Sequence, residues 1–253
     1  MKRLLLLLLI TTQVAVGQAD DSTAVATLPI KSDFQFGLIS DLGLSTTATL
    51  LPNIRSFFKA NQIRPDPSLA FFLNFGFGVR LRRFKLTVQN GLGLKISSDY
   101  SQLPVAGSES VAQNSVANYM GILVGYDIVN SRNRRLYINF GLGRMEHGFN
   151  IFRRTNQPVP FQTVLQTGQT GTLSSLLLRN VGYVDVNLEY AQREKRKRSI
   201  EYVLRLGYRS GTYAKAYESS AFRLIDAPRD RINQIYLHTS FSLSTNYNKR
   251  KFR

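Results

Sequence analysis

The chain has 253 residues, with 33 Lys and Arg against 16 Asp and Glu, a formal charge of +17, and no cysteine or tryptophan. Without cysteine, neither a disulfide framework nor a thiolate metal site is available. Such basicity ordinarily raises nucleic acid as a partner, but the N-terminus marks the chain for export, and no nucleic-acid partner is expected.

Residues 1–17 read as a secretory signal peptide, with Lys2 and Arg3, the apolar run Leu4–Ile10, then the small residues Ala15, Val16 and Gly17. Cleavage after Gly17 would make Gln18 the first mature residue. The apolar run is shorter than the roughly 20 residues a membrane helix needs, and no later stretch approaches that length. Membrane residence is therefore expected only as a barrel. Residues 18–32 are expected to form an N-terminal periplasmic segment, 33–246 a transmembrane β-barrel and 247–253 a basic C-terminal tail.

Eight strands follow in chain order. The first, about 33–44, holds Phe34, Phe36, Leu38, Leu42 and Leu44 in one phase. The next two form the hairpin at 68–97. Leu69, Phe71, Leu73, Phe75, Phe77, Val79 and Leu81 share a face before the turn at Arg82 and Arg83, and Phe84, Leu86, Val88, Leu92, Leu94 and Ile96 share one after it. A period of two held this long is a strand signal, because a helix would scatter those side chains around its axis. The pattern returns at about 115–128 (Val116, Met120, Ile122, Val124, Tyr126, Ile128) and 135–147 (Leu136, Ile138, Phe140, Leu142). It continues at 175–190 (Leu176, Leu178, Val184, Val186, Leu188, Tyr190), 199–210 (Ile200, Tyr202, Leu204, Leu206, Tyr208) and 232–245 (Ile235, Leu237, Phe241, Leu243).

The connections alternate. Long ones run 45–67, 98–114, 148–174 and 211–231, while short ones fall at 82–83, 129–134 and 191–198. An even number of antiparallel strands with short turns at one end and long loops at the other is the layout of an outer-membrane barrel, with the short turns periplasmic. The fold class expected is all-β, an eight-stranded antiparallel up-and-down transmembrane barrel.

A soluble barrel alternates equally well with its apolar face inward, so sidedness needs further argument. An eight-stranded barrel has an interior barely wide enough for its side chains, and the bulky apolar face would not fit there. Strand glycines such as Gly76, Gly78, Gly91, Gly93, Gly121, Gly125, Gly141, Gly143 and Gly207 all fall on the polar face, where a crowded lumen needs the space. Phe34, Phe84, Tyr126, Tyr190 and Tyr202 lie beside the short turns, the place of an interfacial girdle.

The lumen would then hold Asp41, Arg80, Lys85, Lys95, Asp127, Arg179, Asp185, Glu189, Glu201, Arg205 and Arg209. Both signs are present, so a paired plug is expected rather than an open channel. The short turns carry Arg82, Arg83, Arg132, Arg134, Arg135, Arg193, Lys195, Arg196, Lys197 and Arg198, a basic periplasmic rim. Anionic lipid headgroups explain it, and an acidic periplasmic or envelope protein is the sharper alternative. In the first long connection, Leu51, Ile54, Phe57 and Phe58 follow helical spacing with Pro52 near the start. They predict a short amphipathic helix, either packed on the barrel rim or acting as a lid or partner-binding element.

The signal ending Ala15-Val16-Gly17-Gln18, the segment PNIRSFFKANQI at 52–63 and the hairpin FGFGVRLRRFKLTVQNGLGL resemble the small outer-membrane β-barrels of Bacteroidota, often grouped as PorT-like. The resemblance covers most of residues 30–245 and implies fold and compartment. Some members of that group are linked to type IX protein secretion. Outer-membrane barrels commonly end in a terminal aromatic, whereas this chain ends NYNKRKFR, so Tyr247 is expected to close the last strand with the tail appended.

His238 and Ser240 stand at i and i+2 on the last strand, an arrangement that looks like the His-x-Ser of outer-membrane lipid A deacylases, where the histidine activates the serine. That family's acid follows in the chain, but no Asp or Glu follows Ser240 here. Parity also places both residues in the lumen, so a polar lumenal pair is the plainer reading. His147 stands beside Glu146 with no second histidine at metal-ligand spacing, and no metal or cofactor is expected. The expected function is a non-enzymatic, monomeric structural or interaction barrel among outer-membrane lipids. The alternatives are an accessory component of a secretion or envelope-assembly complex, a lipid-modifying enzyme using His238 and Ser240, and a soluble ligand-binding barrel.

Overall fold

The computed structural model describes residues 36–94, 108–129, 131, 134–155, 172–193, 198–219 and 223–247. The signal peptide and the 18–32 segment lie outside the described residues, as do Phe34, Lys95, Arg132, Lys195, Arg196, Lys197 and the tail beyond Tyr247.

The elements in order are β1 (Phe36–Leu50), α1 (Pro52–Ala60), β2 (Ile63–Pro65), β3 (Leu69–Leu81), β4 (Phe84–Leu94), β5 (Ser108–Asp127), β6 (Arg134–Thr155), β7 (Thr172–Arg193), β8 (Arg198–Gly211), β9 (Lys215–Ala216), β10 (Arg229–Asp230) and β11 (Asn233–Tyr247). Nine strands share one sheet. Apart from the three-residue β2, which lies parallel to β5, they form an antiparallel meander that closes on itself. β1 pairs with β3 along one edge and with β11 along the other, from Phe36 opposite Tyr247 to Leu50 opposite Asn233. The result is a closed eight-stranded antiparallel barrel. Closure removes the edges that would otherwise template aggregation.

The outward face is an apolar belt. Leu42, Phe77, Val88, Ile122, Phe140, Val186, Leu206 and Phe241 are all exposed. At the short-turn end, the rings of Phe84 and Tyr126 lie 5.2 Å apart, as do those of Tyr202 and Phe241. The opposite phase is buried, and its glycines give room to rings from neighbouring strands. A Cβ on Gly91 would meet the Tyr119 ring at 2.1 Å, and one on Gly207 the Tyr236 ring at 2.5 Å.

Pairing continues past the apolar alternation. β1 runs on through Ser45, Thr47 and Thr49, whose side chains face inward and are buried, and β5, β6 and β7 reach 20 to 22 residues. These extensions belong to residues expected in loops, because β1 runs on with inward hydroxyl side chains and bulges in β5 and β7 break the phase of the apolar residues beyond them.

One bulge changes a face. Between β6 and β7 the register shifts, with Met145 opposite Val181 but His147 opposite Leu178, so Arg179 and Asn180 face a single residue. Asn180 takes φ 52. An extra residue reverses the phase of everything beyond it. Arg179, expected in the lumen, is therefore exposed, while Leu176 and Leu178, expected to face outward, are buried.

At the long-loop end the lumen is closed by an apolar core. Ile54 and Phe58 of α1 share one buried cluster with Phe72, Met145, Phe149, Leu178, Val181 and Ile232, and the Phe58 ring lies 5.3 Å from that of Phe149. The helix forms as the spacing predicts, with Pro52 in its first turn and Phe57 left exposed. Leu51 offers no side-chain cap. Instead the Asp230 carboxylate on β10 accepts the N–H groups of Asn53 at 3.0 Å and Ile54 at 2.7 Å, and the Tyr217 hydroxyl donates to it at 3.4 Å. Burial raises the pKa of the Asp230 carboxyl, against the lowering effect of those N–H bonds. Asp230→Ala would leave the buried Ile54 N–H and Tyr217 hydroxyl without their acceptor, a loss of about 1–3 kcal/mol. The expected result is faster amide exchange through 52–60, with partial protection retained in Asp230→Asn.

Candidate functional site

The lumen is the most elaborate constellation in the molecule, and the register builds it. Glu201, Arg205 and Arg209 recur every fourth residue on β8, so they project from one face at successive heights. On β7, Glu189 stands opposite Arg205 and Asp185 opposite Arg209. Strand pairing alone thus brings two ion pairs into contact.

Nearest the short turns, Arg80 makes a two-pronged bond to Glu201 at 2.9 and 2.8 Å, and the Ser244 hydroxyl donates to the same carboxylate at 3.1 Å. Arg135 pairs with Asp127 at 3.3 Å and donates to the Tyr137 hydroxyl at 3.4 Å. In the middle tier Glu189 accepts from Lys85 and also bonds Arg205 at 2.8 Å. Asn139 donates to Glu189 at 3.2 Å and Arg205 to Gln89 at 3.2 Å. Above them, Asp185 holds Arg209 at 2.8 Å and accepts from Tyr236 at 2.8 Å. The Arg209 guanidinium carbon lies 3.5 Å from the Tyr119 ring centroid and 4.1 Å from that of Tyr236, a stacked cation–π arrangement.

Among the described residues, the carboxylates turned into the lumen are Asp41, Asp127, Asp185, Glu189 and Glu201, and the cations are Arg80, Lys85, Arg135, Arg205 and Arg209. These described residues number five of each sign and so balance formally, inside a chain of formal charge +17. Asp41 is the least engaged, since its Oδ1 is buried without a hydrogen-bond partner. It shares a cavity of about 10 Å³ with Asn74, Gln89, Tyr119, Arg205 and His238, room for roughly one water.

Most lumenal residues stand where parity put them, with two corrections. Arg179 is turned outward by the bulge. Arg135, expected on the basic rim, is 1% exposed and belongs to the lumenal network. Counting by twos from Gly141 along β6 reaches Arg135, so the period carried the signal, and proximity to the turn obscured it. The tyrosines 119, 137, 183 and 236 were missed because an inward tyrosine in sequence looks like an interfacial one.

Of the remaining rim, Arg82, Arg83 and Arg134 are exposed at the short-turn end. Arg193 and Arg198 end β7 and begin β8. His238 and Ser240 face the lumen, both buried, and the Ser240 Oγ has no hydrogen-bond partner. The histidine therefore does not hold the serine. His147 packs its ring 4.9 Å from that of Phe149 at the edge of the apolar plug.

No family model matches the chain, and no curated protein does. Solved structures do. Neisserial surface protein A (NspA) aligns at a TM-score of 0.43 with 10% identity, over 82% of this chain and 96% of that one. The outer membrane protein AlkL, determined in DMPC bilayers, aligns at 0.37 with 12% identity over 91% and 97%. The outer membrane protease OmpT from Escherichia coli aligns at 0.33 with 12% identity over 88% and 100%.

Proposed function

We propose that this chain spans an outer membrane as a closed, monomeric, non-enzymatic barrel, displaying its long loops outward and a basic rim to the periplasm. The observation that carries the reading is the neutral lumen. Among the described residues, five carboxylates and five cations lie inside it, and an apolar plug seals the end beneath α1. A conduit would need a continuous polar path, and an enzyme would need a nucleophile its substrate can reach. His238 and Ser240 are walled in on both counts. The outward belt of leucine, valine and phenylalanine is the surface that lipid covers.

The expected result is recovery in the outer-membrane fraction with heat-modifiable gel mobility, and reconstituted vesicles that stay impermeable to ions. Recovery as a soluble periplasmic protein, or ion flux through the reconstituted barrel, would refute the corresponding half of the reading.

The finer reading is that the basic rim docks an acidic envelope partner, as an accessory component of secretion or envelope assembly would. Exposed Arg82, Arg83 and Arg134 support it, together with the run of Arg193, Lys195, Arg196, Lys197 and Arg198 in the sequence. Affinity capture from native membranes in mild detergent is expected to lose the partner when residues 193–198 are neutralised. Equal recovery from both forms would leave headgroup attraction as the rim's explanation.

A further inference from the structure

Three side chains of the middle tier meet across a strand that puts no side chain between them. Lys85 on β4 stands opposite Gly125 on β5, and Gly125 stands opposite Asn139 on β6. A Cβ on Gly125 would lie 3.2 Å from the Asn139 Cγ and 3.4 Å from the Lys85 Cε. The glycine therefore leaves the space in which the amine arm and the carboxamide come together. Glu189 on β7 bonds to both. Its Oε1 accepts from the Lys85 Nζ, and its Oε2 accepts from the Asn139 Nδ2 at 3.2 Å.

The surrounding bonds hold each group in one orientation. Asn187 donates its own amide to Asp185 at 2.8 Å, which leaves its Oδ1 to accept from the Asn139 Nδ2 at 2.6 Å. The Asn139 amide nitrogen thus faces Glu189, and its carbonyl oxygen is turned toward Gly125, buried without a hydrogen-bond partner. Arg205 anchors Glu189 from the other side, reaching Oε2 with Nε at 3.0 Å and Nη2 at 2.8 Å. The Lys85 Nζ lies over the Tyr137 ring, 4.6 Å from its centroid. Lys85 and Glu189 are each 2% exposed and Asn139 is fully buried, so bulk water is kept from all three.

An amine, an amide carbon and a carboxylate bonded to both are the parts of an amide exchange. We infer that Lys85 and Asn139 join in an isopeptide bond, formed within the folded barrel with Glu189 as its catalytic acid–base. One proton first moves from the Lys85 ammonium to the Glu189 carboxylate. Away from bulk water an ion pair loses the solvation that favours it over two neutral groups. The freed Nζ lone pair then attacks the Asn139 Cγ. The Nζ–Cγ bond forms, the Cγ–Nδ2 bond breaks, and a second Nζ proton passes through Glu189 to Nδ2, which leaves as ammonia. Nothing is oxidised or reduced. Lys85 loses its charge and Glu189 keeps the first proton, so the tier stays balanced, with Asp41 left to face Arg205 in their shared cavity. Fixing the reactants in contact replaces the collision that a free amine and amide would need, and the departure of ammonia makes the bond permanent.

The test is peptide mapping by mass spectrometry of the full chain, refolded into lipid vesicles, then denatured and digested. A branched peptide joining Lys85 to Asn139, lighter by one ammonia than its two arms, is expected from the folded barrel. It should be absent from chain kept in urea and from folded Lys85→Arg, which retains the cation. Two linear peptides with Lys85 and Asn139 free, from chain of folded gel mobility, would overturn the bond. The branched peptide is the readout because the intact chain also loses ammonia when an N-terminal glutamine cyclises. For Glu189 the rate decides. Glu189→Gln is expected to slow bond formation by about 100-fold or more. Glu189→Asp, which keeps an acid beside Arg205 but shortens its reach, carries the same test should the first variant not attain folded mobility. Bond formation at the parent rate in either folded variant would overturn the role of Glu189. A soluble barrel with this lumen would form the same bond, so neither result depends on the membrane reading.

Discussion

Glu189→Ala is expected to destabilise the barrel by about 3–5 kcal/mol, the cost of leaving buried charge without its partner. Glu189 accepts from Lys85 and from Arg205, and all three side chains are almost fully buried. Without it two cations share the middle tier with Asp41 alone, in a space where water has room for roughly one molecule. Urea unfolding in lipid vesicles, followed by gel mobility, reads the loss as a lower midpoint at unchanged slope. The double variant Lys85→Met with Glu189→Leu should recover part of it, because one cation is removed with the acid and only Arg205 must rely on Gln89 and Asp41. An alanine variant within about 1 kcal/mol of the parent, the range of a solvated pair, would show that the tier is hydrated and not a dry plug.

The second large effect concerns the outer face. Ile122→Arg, at an exposed position in the middle of the β5 belt, is expected to cost about 2–4 kcal/mol if lipid surrounds it. In water the same substitution at an exposed site changes stability by no more than about 0.5 kcal/mol. The measurement is the urea midpoint in vesicles against the parent. Arg134, at the short-turn edge, is the internal comparison, since Arg134→Leu should change little at the interface. A neutral Ile122→Arg would contradict a transmembrane wall.

How far the lumen was legible can be seen on β8. The four-residue spacing of Glu201, Arg205 and Arg209, with alternate apolar residues between them, places all three on one face by local geometry. The identity of their partners was not legible. Arg80 and Glu201 are 121 residues apart in sequence, and only strand order and register decide that they meet. The two misplaced arginines show the limits of a period. Arg135 obeyed it and was assigned by its nearness to a turn. Arg179 was assigned by the period and failed, because the extra residue at the β7 bulge reverses the phase and no residue type announces that insertion.

The long-loop end divides in the same way. Helix α1 was readable from Pro52 and the spacing of Ile54, Phe57 and Phe58, since amphipathic periodicity is local. Its cap was not, because Asp230 lies 176 residues from Ile54. Nor was the apolar plug. Leu176 and Leu178 continue an alternation that reads as lipid-facing, and only beyond the bulge do they turn inward. Strand lengths escaped for a related reason. Above the belt β5, β6 and β7 carry inward apolar residues such as Val111, Phe149 and Leu178, but bulges in β5 and β7 shift their phase, so the alternation does not run on from the belt.

The sequence by itself determined the eight strands of the belt, which of their faces is apolar, and that charges of both signs share the lumen, because a side chain's direction on a strand depends on neighbours two residues away. Only the tertiary structure decided which cation meets which acid, where a bulge reverses a face, and which residues close the lumen beneath α1. Those depend on register between segments that meet only when the barrel closes.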